Sequence, residues 1–219
     1  MAEPQVHGAP RIYLARHGVT QANLDRVHMG LLDVPLLAEG RAEARRLAEL
    51  VHGLGVEEVW ASPLRRARET AQIVAARCGV PLFVDAELRE FEAGPWEGLT
   101  DAQIEARFPG DIDEWQRDPA AFRRPGRETL AALERRIVAA VERIRARGTT
   151  VLIVTHSEPI RLLRVHYADD ELNRFAIFTP EHARLLELDL AGPRGALYPL
   201  RAIESAAYAA PTPAEETEA

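Results

Sequence analysis

The stretch "RIYLARHGVT", residues 11–20, places a cation and an imidazole at the end of a short apolar strand. Residues 12–15 form an apolar run bounded by a proline and a glycine, which is typical of a buried strand rather than of a helix. An arginine and a histidine are costly to bury unpaired, so Arg16 and His17 at the exit of this strand require a partner. We expect an anion to supply it.

Composition restricts the class of protein. At 219 residues the chain suits one α/β domain with a full core. A net charge of -7, with acidic and basic residues interspersed, predicts neither nucleic acid nor a membrane surface as a partner. No apolar run has the length of a membrane span, and residues 1–10 lack the regions of a signal peptide, so we expect a cytoplasmic protein.

Two residue types restrict the chemistry. All 27 basic residues are arginine, which excludes Schiff-base catalysis and the lysine-dependent phosphate loop. The single cysteine, Cys78, cannot form an internal disulfide and has no cysteine neighbours for a metal site. Acid–base or nucleophilic catalysis remains, with arginine as the permanent cation. We therefore expect no metal site and no cofactor.

Helices alternate with apolar strands along the chain. After the first strand, the patterns predict strands at 57–61, 81–85, 149–154 and 184–190, and main helices at about 39–51, 64–78 and 128–147. This alternation predicts a three-layer α/β/α sandwich with a mostly parallel central sheet. We assign residues 1–200 to this single domain and residues 201–219, rich in Ala, Pro and Glu, to a mobile tail.

Polar side chains follow several of these strands. His17 and His156 come directly after apolar strands, and Arg66 lies near the start of a helix that follows a third strand. In that helix Ser62 is placed to cap the first turn, with Pro63 at the first helical position. Ligands of parallel sheets bind beyond the carboxyl ends of the strands, so we expect the site to form there.

Four segments in this order, "ARHGVTQAN" (15–23), "SPLRRARETA" (62–71), "LREFEAGPWEG" (88–98) and "VTHSEP" (154–159), resemble the histidine phosphatase superfamily, also called phosphoglycerate mutase-like. Four ordered motifs are far more specific than one short match. The resemblance covers roughly residues 10–190 and implies a phosphoglycerate mutase-like fold and a phosphatase of the branch 1 type.

The resemblance also implies roles for individual residues. His17 would be the nucleophile, and Arg16, Arg66 and His156 would bind the phosphate. Glu90 would donate a proton, and its spacing of four residues to a glycine selects it among the neighbouring glutamates.

A weaker set of substrate contacts completes the predicted site. Asn23 lies six residues after the nucleophile and matches an asparagine of the family, while Gly30 marks the loop that follows. Gly18 and Ser157 are the small residues after the two histidines, and small residues after His156 let backbone amides approach a phosphate.

The remaining histidines, His182 among them, are interpreted as structural or exposed. His28 lies close enough to the pocket loop to contact substrate.

The chemistry can be argued from the residue types. A neutral imidazole can attack phosphorus, and its reference pKa of about 6.5 makes that form available near neutral pH. Two arginine forks and a protonated His156 would stabilise the charge of the transition state without a metal ion. A glutamic acid that protonates the leaving alkoxide needs a raised pKa, which desolvation supplies.

Three functions fit the motifs: a phosphatase acting on a small phosphorylated metabolite, a phosphoglycerate mutase-type phosphoryl transferase, and a non-catalytic phosphate-binding regulatory protein. Only about thirty residues separate Gly98 from Glu128, whereas cofactor-dependent mutases of the family carry a longer insertion that includes a lysine. A less covered site admits water, which favours hydrolysis.

Two residues depart from the family pattern. Glu158 stands close to the predicted site, where its carboxylate would pair with a substrate amine or with Arg161 or Arg164. The segments "HSEP", "GLLD" and "FPGDIDEW" resemble the metal-independent phosphoserine phosphatases of the superfamily, whose substrate carries such an amine. Arg127 stands where the family commonly has a glycine, and it is either an extra substrate contact or a surface residue.

Overall fold

A computed structural model of the protein describes residues 9–189 and 200–203, which alternate between strands and helices. The strands are β1 (Ile12–Arg16), β2 (Glu58–Ala61), β3 (Leu82–Val84), β4 (Val151–Thr155), β5 (Leu185–Leu188) and β6 (Leu200–Ala202). The helices are α1 (Gln21–Leu24), α2 (Ala38–His52), α3 (Arg65–Cys78), α4 (Asp101–Arg107), α5 (Asp111–Arg117), α6 (Leu130–Arg145) and α7 (Ser157–Ala168).

The six strands form one sheet in the order β3-β2-β4-β1-β5-β6. Strands β3, β2, β4 and β1 pair in parallel, while β5 is antiparallel to both of its neighbours. Arg16 pairs with Thr155, so β1 and β4 end side by side. The predicted, mostly parallel sheet is confirmed, and His17 and His156 leave it at adjacent positions.

Alternating side chains of β1 explain why helices cover both faces of the sheet. Tyr13 and Ala15 are buried in one hydrophobic core with residues of α2 and α3. Ile12 and Leu14 are buried in a second core with residues of α6 and α7. The predicted three-layer α/β/α sandwich is confirmed, with β1 at its centre.

The start of α3 differs from the expectation. The helix begins at Arg65 with Leu64 as its N-cap, and no side chain caps it. Ser62 is therefore not the N-cap, because its Oγ accepts a hydrogen bond from the Leu64 amide at 3.2 Å within the preceding turn. This hydroxyl also lies 2.7 Å from Nε2 of His156, which places Ser62 in the site.

The sheet also extends past the expected domain boundary. Strand β6 pairs with β5 through Ala202, two residues beyond the boundary that we placed after residue 200. Residues 204–219, which hold the rest of the predicted tail, lie outside the described residues. In the part of the chain that is described, no helix combines the length and the apolar composition needed to cross a membrane.

Candidate active site

His17 follows the last residue of β1 and is held in a defined orientation. Its backbone amide donates to the Thr155 carbonyl at 3.0 Å, and its side chain is only 1% exposed. Nδ1 lies 2.8 Å from the Gly18 carbonyl oxygen. A carbonyl oxygen can only accept, so Nδ1 carries the proton and Nε2 keeps its lone pair. Nε2 is buried and has no hydrogen-bond partner among the described residues.

The surroundings of His17 keep the ring uncharged. Burial lowers the pKa of His17 well below its ordinary value, and the nearby cations Arg66 and Arg16 lower it further. The imidazole is therefore neutral at neutral pH, and its free nitrogen is a nucleophile.

Arg66 lies in the first turn of α3 and is fully buried. Its Nη1 donates to the Leu32 carbonyl at 2.6 Å and its Nη2 to the Gly30 carbonyl at 2.9 Å, whereas its Nε has no partner among the described residues. Carbonyl groups fix the guanidinium without neutralising its charge. Arg66 is thus a rigidly held cation; burial lowers its pKa, and the charges of Glu90 and Asp33 oppose this effect.

Arg16 is held in a similar way. Its Nη1 donates to the Pro180 carbonyl at 3.1 Å, and its buried Nε likewise has no partner in the described part of the chain. Burial lowers the pKa of Arg16, although Glu158 and Glu90 oppose this effect. The group remains a cation because an arginine does not lose its proton in proteins.

His156 faces the nucleophile. Its ring centroid lies 5.2 Å from that of His17, and its Nδ1 is buried without a partner among the described residues. Burial lowers the pKa of His156 well below its ordinary value, and Arg66 and His17 add to the effect. The ring is therefore neutral at neutral pH, which differs from our expectation of a protonated histidine.

His182 is a residue of the site that the sequence did not indicate. It pairs with Arg16 in an isolated parallel bridge, and its ring centroid lies 5.9 Å from that of His17. Burial and Arg16 lower its pKa to about 4. The structure corrects the interpretation of His182 as a structural or exposed residue. It stands in the loop before an antiparallel strand, and no motif marked that loop.

Glu90 places a carboxyl group in the same region. It is 7% exposed, and its Oε1 accepts a hydrogen bond from the Phe91 amide at 2.8 Å. Burial raises the pKa of Glu90 well above its ordinary value, and the negative charge of Glu158 raises it further. Glu90 is therefore the member of this carboxyl pair that holds a proton.

Glu158 lies in the first turn of α7 and keeps its charge. Burial opposes its ionisation, but Arg161 and the hydrogen bond from Glu90 outweigh burial and lower the pKa of Glu158. Its Oε1 lies 3.3 Å from Nη1 of Arg161. The two carboxyl groups thus share one proton, which resides on Glu90.

Arg136 of α6 holds the segment that carries Glu90. Its Nη1 donates to the carbonyls of Glu87 and Arg89, and its Nη2 to that of Glu90, each at 2.8 Å. Its Nε donates to Oε1 of Glu128 at 2.7 Å in a buried ion pair. Arg136 is not among the residues predicted from the sequence. An arginine on the otherwise apolar, buried face of this helix is the signal that identifies such a residue.

The predicted substrate contacts separate into two kinds. Asn23, Gly30 and Ser157 line a cleft with a volume of about 360 Å³, which Arg16 and Glu90 also line. The carbonyl of Gly30 binds Arg66, as described above.

Gly18, by contrast, is a packing residue. Its amide donates to Oγ1 of Thr70 at 3.1 Å, and a Cβ on it would lie 2.3 Å from the Gly40 carbonyl oxygen. This close approach of α2 accounts for a glycine at position 18.

Of the five predicted catalytic residues, Arg16 and Glu90 line the cleft. Arg66 reaches it through the carbonyl of Gly30, and His17 and His156 contact each other behind these residues.

Known proteins share the sequence pattern and the fold of this chain. Residues 12–202 match the histidine phosphatase superfamily, branch 1. The chain belongs to this superfamily. Phosphoserine phosphatase 1 of Hydrogenobacter thermophilus is 26% identical over 175 residues, which make up 79% of this chain and 83% of that protein.

Two further relatives show the range of activities. Phosphoglycerate mutase-like protein 4 of Arabidopsis thaliana is 36% identical over 157 residues, 69% of this chain and 68% of that protein. The structure of a mycobacterial glucosyl-3-phosphoglycerate phosphatase with VO3 is 29% identical, with a TM-score of 0.74 over 82% of this chain and 91% of that one. The chain is thus an enzyme of a superfamily of phosphatases and mutases.

The buried Arg136–Glu128 pair predicts a large effect on stability. In Arg136→Met, the Glu128 carboxylate and three backbone carbonyls lose their partner, so we expect the free energy of unfolding to fall by about 3–5 kcal/mol in urea titrations. The control, Arg135→Met, removes the same charge from an exposed position of α6 and should change it by at most about 0.5 kcal/mol. Equal stabilities for the two variants would contradict the role of Arg136.

The contact between Glu90 and Glu158 predicts that the pKa of Glu90 shifts when Glu158 loses its charge. In Glu158→Gln, the negative charge that favours the protonated form of Glu90 is absent, so the pKa of Glu90 should move down while burial keeps it above its ordinary value. Carboxyl-carbon NMR titration of the two proteins measures this shift. Glu87→Gln, which removes a more exposed carboxylate of the same segment, is the control. An unchanged Glu90 titration in Glu158→Gln would refute the shared proton.

Proposed function

We propose that the protein is a metal-independent phosphatase that hydrolyses a small phosphomonoester through a phosphohistidine on His17. One observation carries this proposal: the Gly18 carbonyl holds the Nδ1 proton, which leaves Nε2 buried, without a partner in the described part of the chain, and close to Arg16 and Arg66. Membership of the histidine phosphatase superfamily and relatives that are named phosphatases support it.

In the first step Nε2 of His17 attacks phosphorus, the N–P bond forms, and the bond to the ester oxygen breaks. The three equatorial oxygens stay negatively charged throughout. Arg16 and Arg66 are already fixed by backbone carbonyls, so their charges need no reorganisation to stabilise these oxygens.

His156 would complete the phosphate site. Its Nε2 contacts the Ser62 hydroxyl, and when that hydroxyl donates to Nε2, the Nδ1–H of His156 is left to donate to a phosphate oxygen. The negative charge of a bound phosphate would also raise the pKa of this histidine.

Glu90 would supply the proton of the leaving group. An alkoxide leaves poorly, and the protonated carboxyl transfers its proton to the ester oxygen as the bond breaks, which leaves Glu90 ionised. In the second step the Glu90 carboxylate accepts a proton from water as the water oxygen attacks the phosphohistidine. Inorganic phosphate leaves, and His17 and Glu90 return to their starting forms.

A mutase is the second candidate. The Arabidopsis relative, named phosphoglycerate mutase-like, favours it. The segment between Gly98 and Glu128 argues for hydrolysis, because it is short, contains no lysine, and forms the brief helices α4 and α5 beside an open cleft. A non-catalytic phosphate-binding role is less well supported, since every predicted catalytic position is filled. A cytoplasmic location, and partners limited to a small phosphorylated metabolite without nucleic acid or membrane, remain predictions.

Trapping of the phosphoenzyme tests the proposal. With a radiolabelled phosphomonoester and EDTA, we expect an acid-labile, alkali-stable label on the wild-type protein and none on His17→Ala. The control His52→Ala removes an exposed histidine at the end of α2 and should label normally. In Glu90→Gln, kcat/KM, which reports the transfer of the phosphoryl group to His17, should fall by about 10²–10⁴ with an alkyl phosphate and far less with p-nitrophenyl phosphate, whose leaving group needs no proton.

Three results would overturn this assignment: label on His17→Ala, loss of turnover on chelation, or equal effects of Glu90→Gln on both leaving groups. Transfer of label between phosphoglycerates without release of inorganic phosphate would instead establish the mutase.

A further inference from the structure

Arg127 places a cation in the cleft, and the reaction proposed above does not use this cation. The centre of its guanidinium lies 3.9 Å from the ring centroid of Trp115, 4.2 Å from Trp96, 4.6 Å from Phe91 and 5.2 Å from Phe122. We call these four rings the aromatic cage. Such contacts stabilise a cation through the faces of the rings and help to offset its desolvation.

The backbone around Arg127 is fixed by close packing. A Cβ on Gly94 would lie 2.5 Å from the Gly126 carbonyl oxygen, so the two segments touch through their main chains. The Glu128 amide donates to the Glu92 carbonyl at 3.0 Å on the other side of Arg127. Arg127 is therefore anchored to the segment that carries Glu90, which accounts for its position over the rings.

The guanidinium of Arg127 has no hydrogen-bond acceptor among the described residues. Within residues 9–189 and 200–203, its side chain makes no hydrogen bond or ion pair, and its Nε is buried without a partner. Ring faces do not accept the five N–H donors of a guanidinium as oxygen atoms do. A buried donor without an acceptor is costly, so the site is complete when a ligand supplies acceptors.

The two carboxylates whose charges act most strongly on Arg127 already have partners of their own. Glu158 pairs with Arg161 at 3.3 Å, and Asp111 pairs with Arg124 and accepts a hydrogen bond from the Trp96 indole. Burial lowers the pKa of Arg127 to about 10, so it is still a cation at neutral pH. The partner that it lacks is an anion from outside the described chain.

The location of the cage shows which part of a substrate would reach it. Phe91 directly follows Glu90, the proton donor, and both line the same cleft as Arg127. The donor faces the leaving oxygen, so Arg127 stands on the side of the alcohol and not on that of the transferred phosphoryl group. The cleft of about 360 Å³ suits a small metabolite.

We propose that Arg127 binds a second anionic group, a carboxylate or a phosphate, on the alcohol part of the substrate. This inference rests on the phosphatase activity proposed above and names its substrate class: small phosphomonoesters that carry a further negative charge. A planar guanidinium binds either oxyanion through two parallel hydrogen bonds.

Matched substrate pairs test the inference. Phosphoserine and O-phosphoethanolamine share an amine and differ by a carboxylate, while fructose 1,6-bisphosphate and fructose 6-phosphate differ by one phosphate. We expect kcat/KM to be at least about tenfold higher for the anionic member of one pair, the size of effect typical of a hydrogen bond to a charged group. The pair that shows the preference identifies the anion.

The variant Arg127→Met should abolish that preference through KM, with less than about a twofold change for the less charged member. Arg123→Met removes an exposed arginine of the same segment and should keep the preference. The inference is overturned if Arg127→Met lowers kcat/KM equally for both members of each pair. It is also overturned if the wild-type protein prefers neither anionic member, and Arg127 is then a structural residue.

Calorimetric binding to His17→Ala separates this inference from the proposed reaction. If the protein hydrolyses none of these compounds but His17→Ala binds the anionic member more tightly, and His17→Ala/Arg127→Met does not, the anion site stands although the reaction fails. Equal affinities of the two members for His17→Ala would refute the anion site even if hydrolysis occurs.

Discussion

The structure depends on keeping two guanidinium groups charged beside a neutral imidazole inside the protein. Arg16 and Arg66 donate to the carbonyls of Pro180, Leu32 and Gly30, and none of these acceptors carries a negative charge. Burial of a cation is unfavourable and lowers the pKa of both groups, while the charges of Glu90 and Glu158 oppose this effect. The fold therefore holds two cations close to His17, where an anion would stabilise them.

The carboxyl groups of the cleft have the reverse requirement, because one of them has to stay uncharged. A phosphatase that acts on alkyl esters needs a carboxyl group that is protonated near neutral pH, and this chain provides one by burying Glu90 next to Glu158. Arg136 fixes the backbone of Glu90 through its carbonyl, and the ion pair with Glu128 balances the charge of Arg136. Cation and acid can thus coexist in one small cleft.

The strands and the motif loops could be predicted because local apolar runs and strand ends define them. The sandwich, the parallel pairing of β1 with β4, and the meeting of His17 and His156 follow from that pattern. Arg136, Ser62 and His182 could not be placed in this way. Each acts through a residue 46 to 165 positions away in the chain, and of the three only Arg136 has a local signal, as a charged residue on the apolar face of a helix. The sequence left open whether Arg127 is a surface residue. The four rings around its guanidinium come from three separate segments, so their meeting is not visible in the sequence.

The two sides of the cleft are built from different parts of the fold, and this separates catalysis from selectivity. The cationic side stands at the carboxyl ends of β1 and β4 and at the start of α3, where sheet register fixes it. The aromatic cage and Arg127 come from residues 91–127, whose short helices and turns lie outside the sheet. A change in that outer segment alters which alcohol fits without disturbing the charges around His17, because no strand has to move.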